Sequence, residues 1–276
     1  MSATNSICDA DLIKGLERIA LEAGRIILDV YEGNSLEVER KDDDSPVTIA
    51  DQRAEAYILK ELAKLTPDCP VVAEESVEAG RIPDTDGDFF LVDPLDGTKE
   101  FIRGGGDFTV NIGLVRDRTP VIGVVYAPAT KKLYVGCGDH ARTGEVDCRN
   151  PGEYDLKPMS VRQPASPPTA VASRSHRTPE TDDFLKALGV TDTVSAGSSL
   201  KFCLVAEGAA DVYPRLGRTM EWDTAAGHAV LVSAGGCVTT VDGQPLSYDK
   251  REQALDSDFA NPHFIAYGSR SPIAPA

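Results

Sequence analysis

The chain has 276 residues, 41% of them hydrophobic and 26% charged, and its formal net charge is −16. That length allows one large domain or two smaller ones with separate cores, and the apolar content excludes disorder as the general state. No apolar run approaches the ~20 residues of a bilayer-crossing helix, and the acidic excess argues against nucleic-acid polymers and acidic membranes as partners, because both attract basic surfaces.

The start, M-S-A-T-N-S-I-C-D-A-D, has neither a basic opening nor an apolar core, so no secretory leader is expected and the location expected is cytoplasmic. Loose peripheral attachment at an inner membrane is left open. Six cysteines (Cys8, Cys69, Cys137, Cys148, Cys203, Cys237) form no C-x-x-C pair, and they are expected to be reduced thiols. From Leu12 to Tyr31 apolar residues repeat at helical spacing and Gly33 closes the run; a second helix is expected from Thr48 to Leu65. Short strand-like runs follow at 71–74, 89–93, 108–115, 121–126 and 132–135, with turn residues that favour an antiparallel meander. Between Gly138 and Pro168 periodicity fades, which places a boundary between an N-terminal α+β unit, 1–155, and a C-terminal α/β unit, 156–276. In the second unit helices at 179–188, 199–207 and 223–234 alternate with strands near 170–173, 193–196, 210–213, 237–241 and 264–267.

The chemistry concentrates in F-F-L-V-D-P-L-D-G-T-K-E-F at 89–101. Asp93 ends an apolar strand, and Pro94, which has no N–H, is expected to turn the chain out of the ladder there. Asp96 follows, so two carboxylates and the Leu95 carbonyl between them can face one cavity as hard oxygen donors suited to magnesium. Gly97 permits close backbone approach, and Thr98-Lys99-Glu100 can open a helical turn whose free N–H groups would take a phosphate. Alone, D-P-x-D-G also reads as a plain turn and Thr98 as a surface residue. The company decides: Glu74-Glu75-Ser76 ends another apolar run, Asp51 opens a helix, and Asp223 in E-W-D-T-A-A-G opens a third. The D-x-x-D spacing suits bridging ions better than the D-x-D of a phosphatase with an aspartate nucleophile. Thr98 would orient a water molecule with Asp51 as its partner.

D-P-L-D-G-T at 93–98, W-D-T-A-A-G-H-A at 222–229 and E-E-S at 74–76 resemble the signatures of the lithium-sensitive, magnesium-dependent phosphatases related to inositol monophosphatase. K-E-F after the first signature, F-T-V-N-I at 108–112, S-R-S-H at 173–176 and G-S-S-L-K-F-C at 197–203 are similar to the branch that removes a phosphate from adenosine 3',5'-bisphosphate, the CysQ type, where inositol monophosphatases more often show T-N-F. The resemblance implies an α/β fold layered α-β-α-β-α, two or three magnesium ions per site, and a monomer or homodimer acting on a small nucleotide bisphosphate. It implies that Glu74, Asp93 and the Leu95 carbonyl hold one ion and Asp93, Asp96 and Asp223 a second, with Asp51 and Thr98 positioning the water. Glu74, Leu95, Asp96, Gly97, Thr98 and Asp223 would then meet the scissile phosphate directly or through the ions, while Ser175, His176, Ser198 and Lys201 face the nucleotide. An inositol-1-phosphate phosphatase and a noncatalytic metal and phosphate sensor are the competing expectations.

Among remaining residues, His228 is expected to be a packed core histidine, Trp222 an anchor for Asp223, and Glu75 a partner behind Glu74. Arg103-Gly104-Gly105-Gly106 reads as a flexible loop ahead of a phosphate cradle, and Lys41 as either a solvated lysine or a group reaching the site.

Overall fold

The computed structural model describes residues 9–33, 38–40, 46–172 and 178–271. The first periodic stretch forms α1 (Ala10–Tyr31), capped by Asp9, whose carboxylate accepts from the Asp11 N–H at 2.8 Å. After a two-stranded hairpin of β1 (Val38–Arg40) and β2 (Pro46–Thr48), α2 (Ile49–Leu65) buries Ala50, Ala54, Ile58 and Leu62 on one face. Next come β3 (Val71–Ala73), α3 (Glu74–Glu78), β4 (Phe89–Asp96), α4 (Thr98–Ile102), β5 (Thr109–Arg116), β6 (Thr119–Ala127) and β7 (Lys132–Cys137). With β8 (His140–Glu145) and β9 (Lys157–Met159) the strands form one seven-stranded sheet in chain order, β3 parallel to β4 and every later pair antiparallel.

A second sheet contains β10 (Thr169–Ala172), β11 (Asp192–Ser195), β12 (Val212–Arg215), β13 (Cys237–Thr240) and β14 (Phe264–Tyr267), ordered β11-β10-β12-β14-β13. Its helices are α5 (Pro179–Ala187), α6 (Leu200–Ala206) and α7 (Ala225–Ser233).

Three cores hold five layers together. Residues of the helical stripes, such as Leu16, Ile27 and Ile58, pack from α1 and α2 on Phe90, Val92, Val110 and Ile112 of the first sheet. The alternate residues Phe89 and Leu91 point the other way and meet α6 and α7, which also cover Tyr213, Phe264 and Ala266 of the second sheet. Val212, Ile265 and Tyr267, on that sheet's far face, are closed by Leu185 of α5 and by Leu188. The architecture is therefore an α-β-α-β-α sandwich. Helix α7 lies unusually close to the first sheet. A Cβ added at Gly123 would fall 2.1 Å from the Ala226 carbonyl oxygen, and one at Gly136 2.6 Å from the Val230 Cα, so bare strand backbone makes room for this small-residue helix.

Three expectations are corrected. Pro94 does not end its strand: β4 runs on to Asp96, and the ladder with β5 shifts register between Asp93, opposite Asn111, and Asp96, opposite Thr109. Three steps on one strand face two on the other, so one extra residue is accommodated as a bulge. The weakly periodic stretch after Gly138 contains β8 and β9, and the first sheet extends to Met159, beyond the boundary drawn at 155; these edge strands are partly exposed and need no apolar alternation. Finally, Cys137 is disulfide-bonded, while Cys69, Cys148, Cys203 and Cys237 are free thiols.

Candidate active site

The bulge in β4 explains how two aspartates three apart can serve one site. In a regular strand, residues i and i+3 point to opposite faces. One added residue restores the same side, so Asp96 lines the cavity and Asp93 lies buried beside it, 1% exposed. The Asp93 carboxylate accepts from the Leu95 N–H at 2.9 Å, which fixes the turn from inside. Gly97 follows at φ 95°, and a Cβ there would lie 2.8 Å from the Asp107 carbonyl oxygen, so only glycine fits at the start of α4. The Thr98 hydroxyl donates to the Leu95 carbonyl at 3.2 Å.

A cavity of about 690 Å³ collects the remaining groups. Asp51 from the first turn of α2, Glu74 from the β3–α3 junction, and Asp96 and Asp223 are among its acidic lining residues, with Glu78, Glu100 and Asp258. Asp223 is held ahead of α7 by the Met220 N–H, which donates to its carboxylate at 2.8 Å. Ser198 and Lys201 line the second-half wall. Ser198 sits at φ 47°, a left-handed conformation uncommon for serine, and Lys201 donates its ammonium to the Ser198 carbonyl. Ser175 and His176, together with Lys41, lie outside the described residues.

Burial first, and then repulsion from Glu74, Asp96, Asp223 and Asp51, pushes the Asp93 carboxyl well above the usual carboxylate range. Asp96 is pushed up to about 7, by burial and then by Asp223, and Asp223 is raised by burial as well. Burial lowers the Lys201 ammonium to about 8 even though Asp96 opposes that shift. Among the described residues, no three His, Cys, Asp or Glu side chains form a closed metal site. The donor chemistry nonetheless fits a hard divalent cation: the donors are all oxygens, and their crowded negative charge is the kind that a bound cation offsets.

Arg215, Arg218 and Glu221 escaped the sequence reading, whereas Trp222, His228 and the glycine run were already singled out there. Arg215 and Arg218 also line the cavity and bring positive charge to the acids; their signal was the R-L-G-R just before T-M-E-W-D. Glu221, fully buried, accepts from the N–H groups of Asp249 (2.7 Å) and Lys250 (3.0 Å) and from the Lys250 ammonium at 2.6 Å, anchoring the segment that carries Asp223. Trp222, 3% exposed, packs against Phe259 with ring centroids 5.9 Å apart. His228 is a core residue whose Nδ1 lies 3.0 Å from the Tyr248 hydroxyl. The glycine run closes α4: the Gly105 N–H donates to the Glu100 carbonyl at 2.7 Å, and its own carbonyl accepts from the Tyr31 hydroxyl at 3.3 Å.

A layered α/β sandwich in which acids and basic side chains line one cavity has the architecture of the sugar and inositol phosphatase class of folds. The chain belongs to the inositol monophosphatase family, whose sequence model matches residues 9–268. The 3'(2'),5'-bisphosphate nucleotidase CysQ of Salmonella typhimurium (strain LT2) is 48% identical over 243 residues, covering 88% of this chain and 96% of its own. The crystal structure of CysQ from Bacteroides thetaiotaomicron matches with a TM-score of 0.77 and 38% identity, over 95% of this chain and 98% of that one. The inositol monophosphatase of Anabaena (Nostoc) sp. PCC 7120 matches with a TM-score of 0.71 and 25% identity, over 95% and 92% of the two chains. The family resemblance read from the motifs is borne out. Among the described residues no helix is long and apolar enough to cross a membrane.

Proposed function

We propose that this chain is a magnesium-dependent 3'(2'),5'-bisphosphate nucleotidase that converts adenosine 3',5'-bisphosphate to AMP and phosphate. The observation that carries the reading is the single cavity lined both by Asp51, Glu74, Asp96 and Asp223 and by Lys201, Arg215 and Arg218. An anionic substrate with two phosphates suits both sets of groups, the acids through bound cations and the basic side chains directly. The identity to CysQ relatives and K-E-F after the first signature favour the nucleotide over an inositol phosphate.

Two or three magnesium ions would be held by Glu74, Asp93, the Leu95 carbonyl, Asp96 and Asp223; when bound they supply Lewis acidity and lower the pKa of water. The residues of the chain do the rest. Thr98 commits its hydroxyl proton to the Leu95 carbonyl, so its oxygen has a lone pair to accept one hydrogen of the attacking water. Asp51 accepts the other and takes that proton as the water oxygen bonds to phosphorus. The bond from phosphorus to the 3'-oxygen breaks, and the leaving oxygen takes a proton from solvent. Lys201 and Arg215 offset the charge of the second phosphate, and Ser198 lines the nucleotide side. Removal of this nucleotide would relieve sulfotransfer and sulfate-reducing steps of their by-product, in the cytoplasm.

Phosphate release from adenosine 3',5'-bisphosphate and inositol 1-phosphate, measured side by side, tests the choice. Preference for the nucleotide is expected, and preference for inositol 1-phosphate would overturn it. Turnover should vanish in Asp96→Asn and survive in Lys131→Ala, which alters a surface pair with Asp147; absence of turnover in the wild type would favour a sensor.

A further inference from the structure

Behind the cavity lies a buried polar chain that the proposed mechanism does not use. Thr109 and Asn111, alternate residues of β5, are fully buried, and Ser199, at the start of α6, is 2% exposed. The Thr109 and Ser199 hydroxyl oxygens are 2.8 Å apart, and Ser199 donates to the Asn111 side-chain oxygen at 2.6 Å. Each hydroxyl has one proton. Since Ser199 spends its own on Asn111, Thr109 must be the donor to Ser199, and the chain runs one way to the Asn111 amide.

Both ends of that chain reach the acids. The backbone N–H of Ser199 lies close enough to the Asp96 carboxylate to favour its charged form. At the other end, the Asn111 side-chain nitrogen is fully enclosed and has no hydrogen-bond partner. An enclosed amide nitrogen without an acceptor is costly, and a buried one points to an acceptor that arrives with a change of state. Asn111 is the cross-strand partner of Asp93, so both side chains leave the sheet on the face toward α6 and α7 with neighbouring Cβ atoms.

We infer that Asn111 is a positioning residue of this site: its amide nitrogen is set to hold the Asp93 carboxylate in its metal-binding orientation, while its oxygen, through Ser199, ties the carboxylates of β4 to the second half of the molecule. The inference rests on the metal-dependent reading above. Groups that orient the ligands of an ion typically change its affinity or the activity about 10–100-fold when removed.

The chain has one tryptophan, Trp222, adjacent to Asp223, so its emission reports occupancy of the acids without substrate. Magnesium titrations of the full-length protein, followed by that emission and by the melting temperature, should show half-saturation moved up at least tenfold in Asn111→Ala. Under saturating nucleotide, kcat should fall by a similar factor with KM within threefold of wild type. Ser199→Ala should move the magnesium midpoint in the same direction, and the double variant should be no worse than the worse single one, because both break one chain. A folded Asn111→Ala with midpoint and kcat within threefold of wild type overturns the inference, as do effects that multiply in the double variant. If Asn111→Ala does not fold, Ser199→Ala alone decides in the same way. Should wild type bind magnesium yet hydrolyse no nucleotide, the nucleotidase reading fails and the magnesium midpoints still judge Asn111.

Discussion

The Glu55 carboxylate accepts from the Ser76 hydroxyl at 2.7 Å and, with its other oxygen, from the Glu75 N–H at 2.8 Å. Asp51 lies one turn earlier on the same face of α2, and Glu74 precedes the accepted N–H by one residue. One buried side chain, 3% exposed, thus sets the spacing between two acids of the site.

Glu55→Ala is expected to lose about 3 kcal/mol of stability, since an N–H and a hydroxyl lose their acceptor in the interior. It should also lose at least tenfold in phosphate release, because Asp51 and Glu74 lose their common anchor. Urea unfolding alongside the release assay checks both. Full activity in a destabilised Glu55→Ala would reduce the residue to a structural pin.

Close approach of α7 to the first sheet yields a second expectation. In Gly123→Ala the new methyl would lie 2.1 Å from the Ala226 carbonyl oxygen, so α7 must shift, and Asp223 just ahead of it must follow. Overpacking of this kind costs about 1–3 kcal/mol, or roughly 2–10 °C of melting temperature in a protein this size. Gly106→Ala is the control, for its nearest neighbour would be an ordinary 3.5 Å away. A kcat that stays at the wild-type value while the melting temperature drops would separate packing from catalysis.

How much of this the residues announce in advance depends on the physics of each part. Helices α1 and α2 were legible because each is half-buried and repeats its apolar residues at helical period. The acids at 51, 74, 93, 96 and 223 were legible because carboxylates at the ends of apolar elements are out of place. The bulge after Asp93 was hidden, since Pro94 predicts a turn equally well and only pairing with β5 shows that the ladder resumes. Arg215 and Arg218 were hidden too: arginine near a glycine reads as surface until the fold sets it in the same cavity as Asp96. Glu55 carries no local signal, because its partners lie 20 and 21 residues away.

Removal of the ion makes a third expectation. Excess chelator should abolish phosphate release, and added magnesium should restore it. Because the cation offsets repulsion among buried carboxylates, it should also stabilise the fold without substrate, by about 2.7 kcal/mol at a concentration 100 times its dissociation constant. Differential scanning calorimetry across a magnesium series measures this. A melting temperature insensitive to magnesium, or hydrolysis undiminished by chelator, would remove the metal from the reading.

The core histidine supplies a pH test independent of the acids. His228 is fully buried; burial lowers its imidazole to about 3, with a smaller contribution from Lys250. In the unfolded chain the same ring takes up its proton near the ordinary value of about 6.5. Between those values the unfolded state binds the additional proton, so this residue makes stability fall as pH falls, by about 2 kcal/mol at pH 5 relative to pH 7.5. The raised carboxyls, Asp93 foremost, act with the opposite sign, because a folded-state pKa above the unfolded one favours the fold as pH drops. Comparing wild type with His228→Gln at both pH values cancels the carboxyl contribution and leaves the histidine. The Tyr248 hydroxyl donates to Thr224 at 3.2 Å, so glutamine can still offer its N–H to the tyrosine oxygen. Chemical denaturation should show the variant gaining about 2 kcal/mol on wild type between pH 7.5 and pH 5. A stability difference that stays the same at both pH values would mean that the ring is already protonated in the fold, or never titrates in the unfolded chain, and the buried neutral histidine would have to be given up.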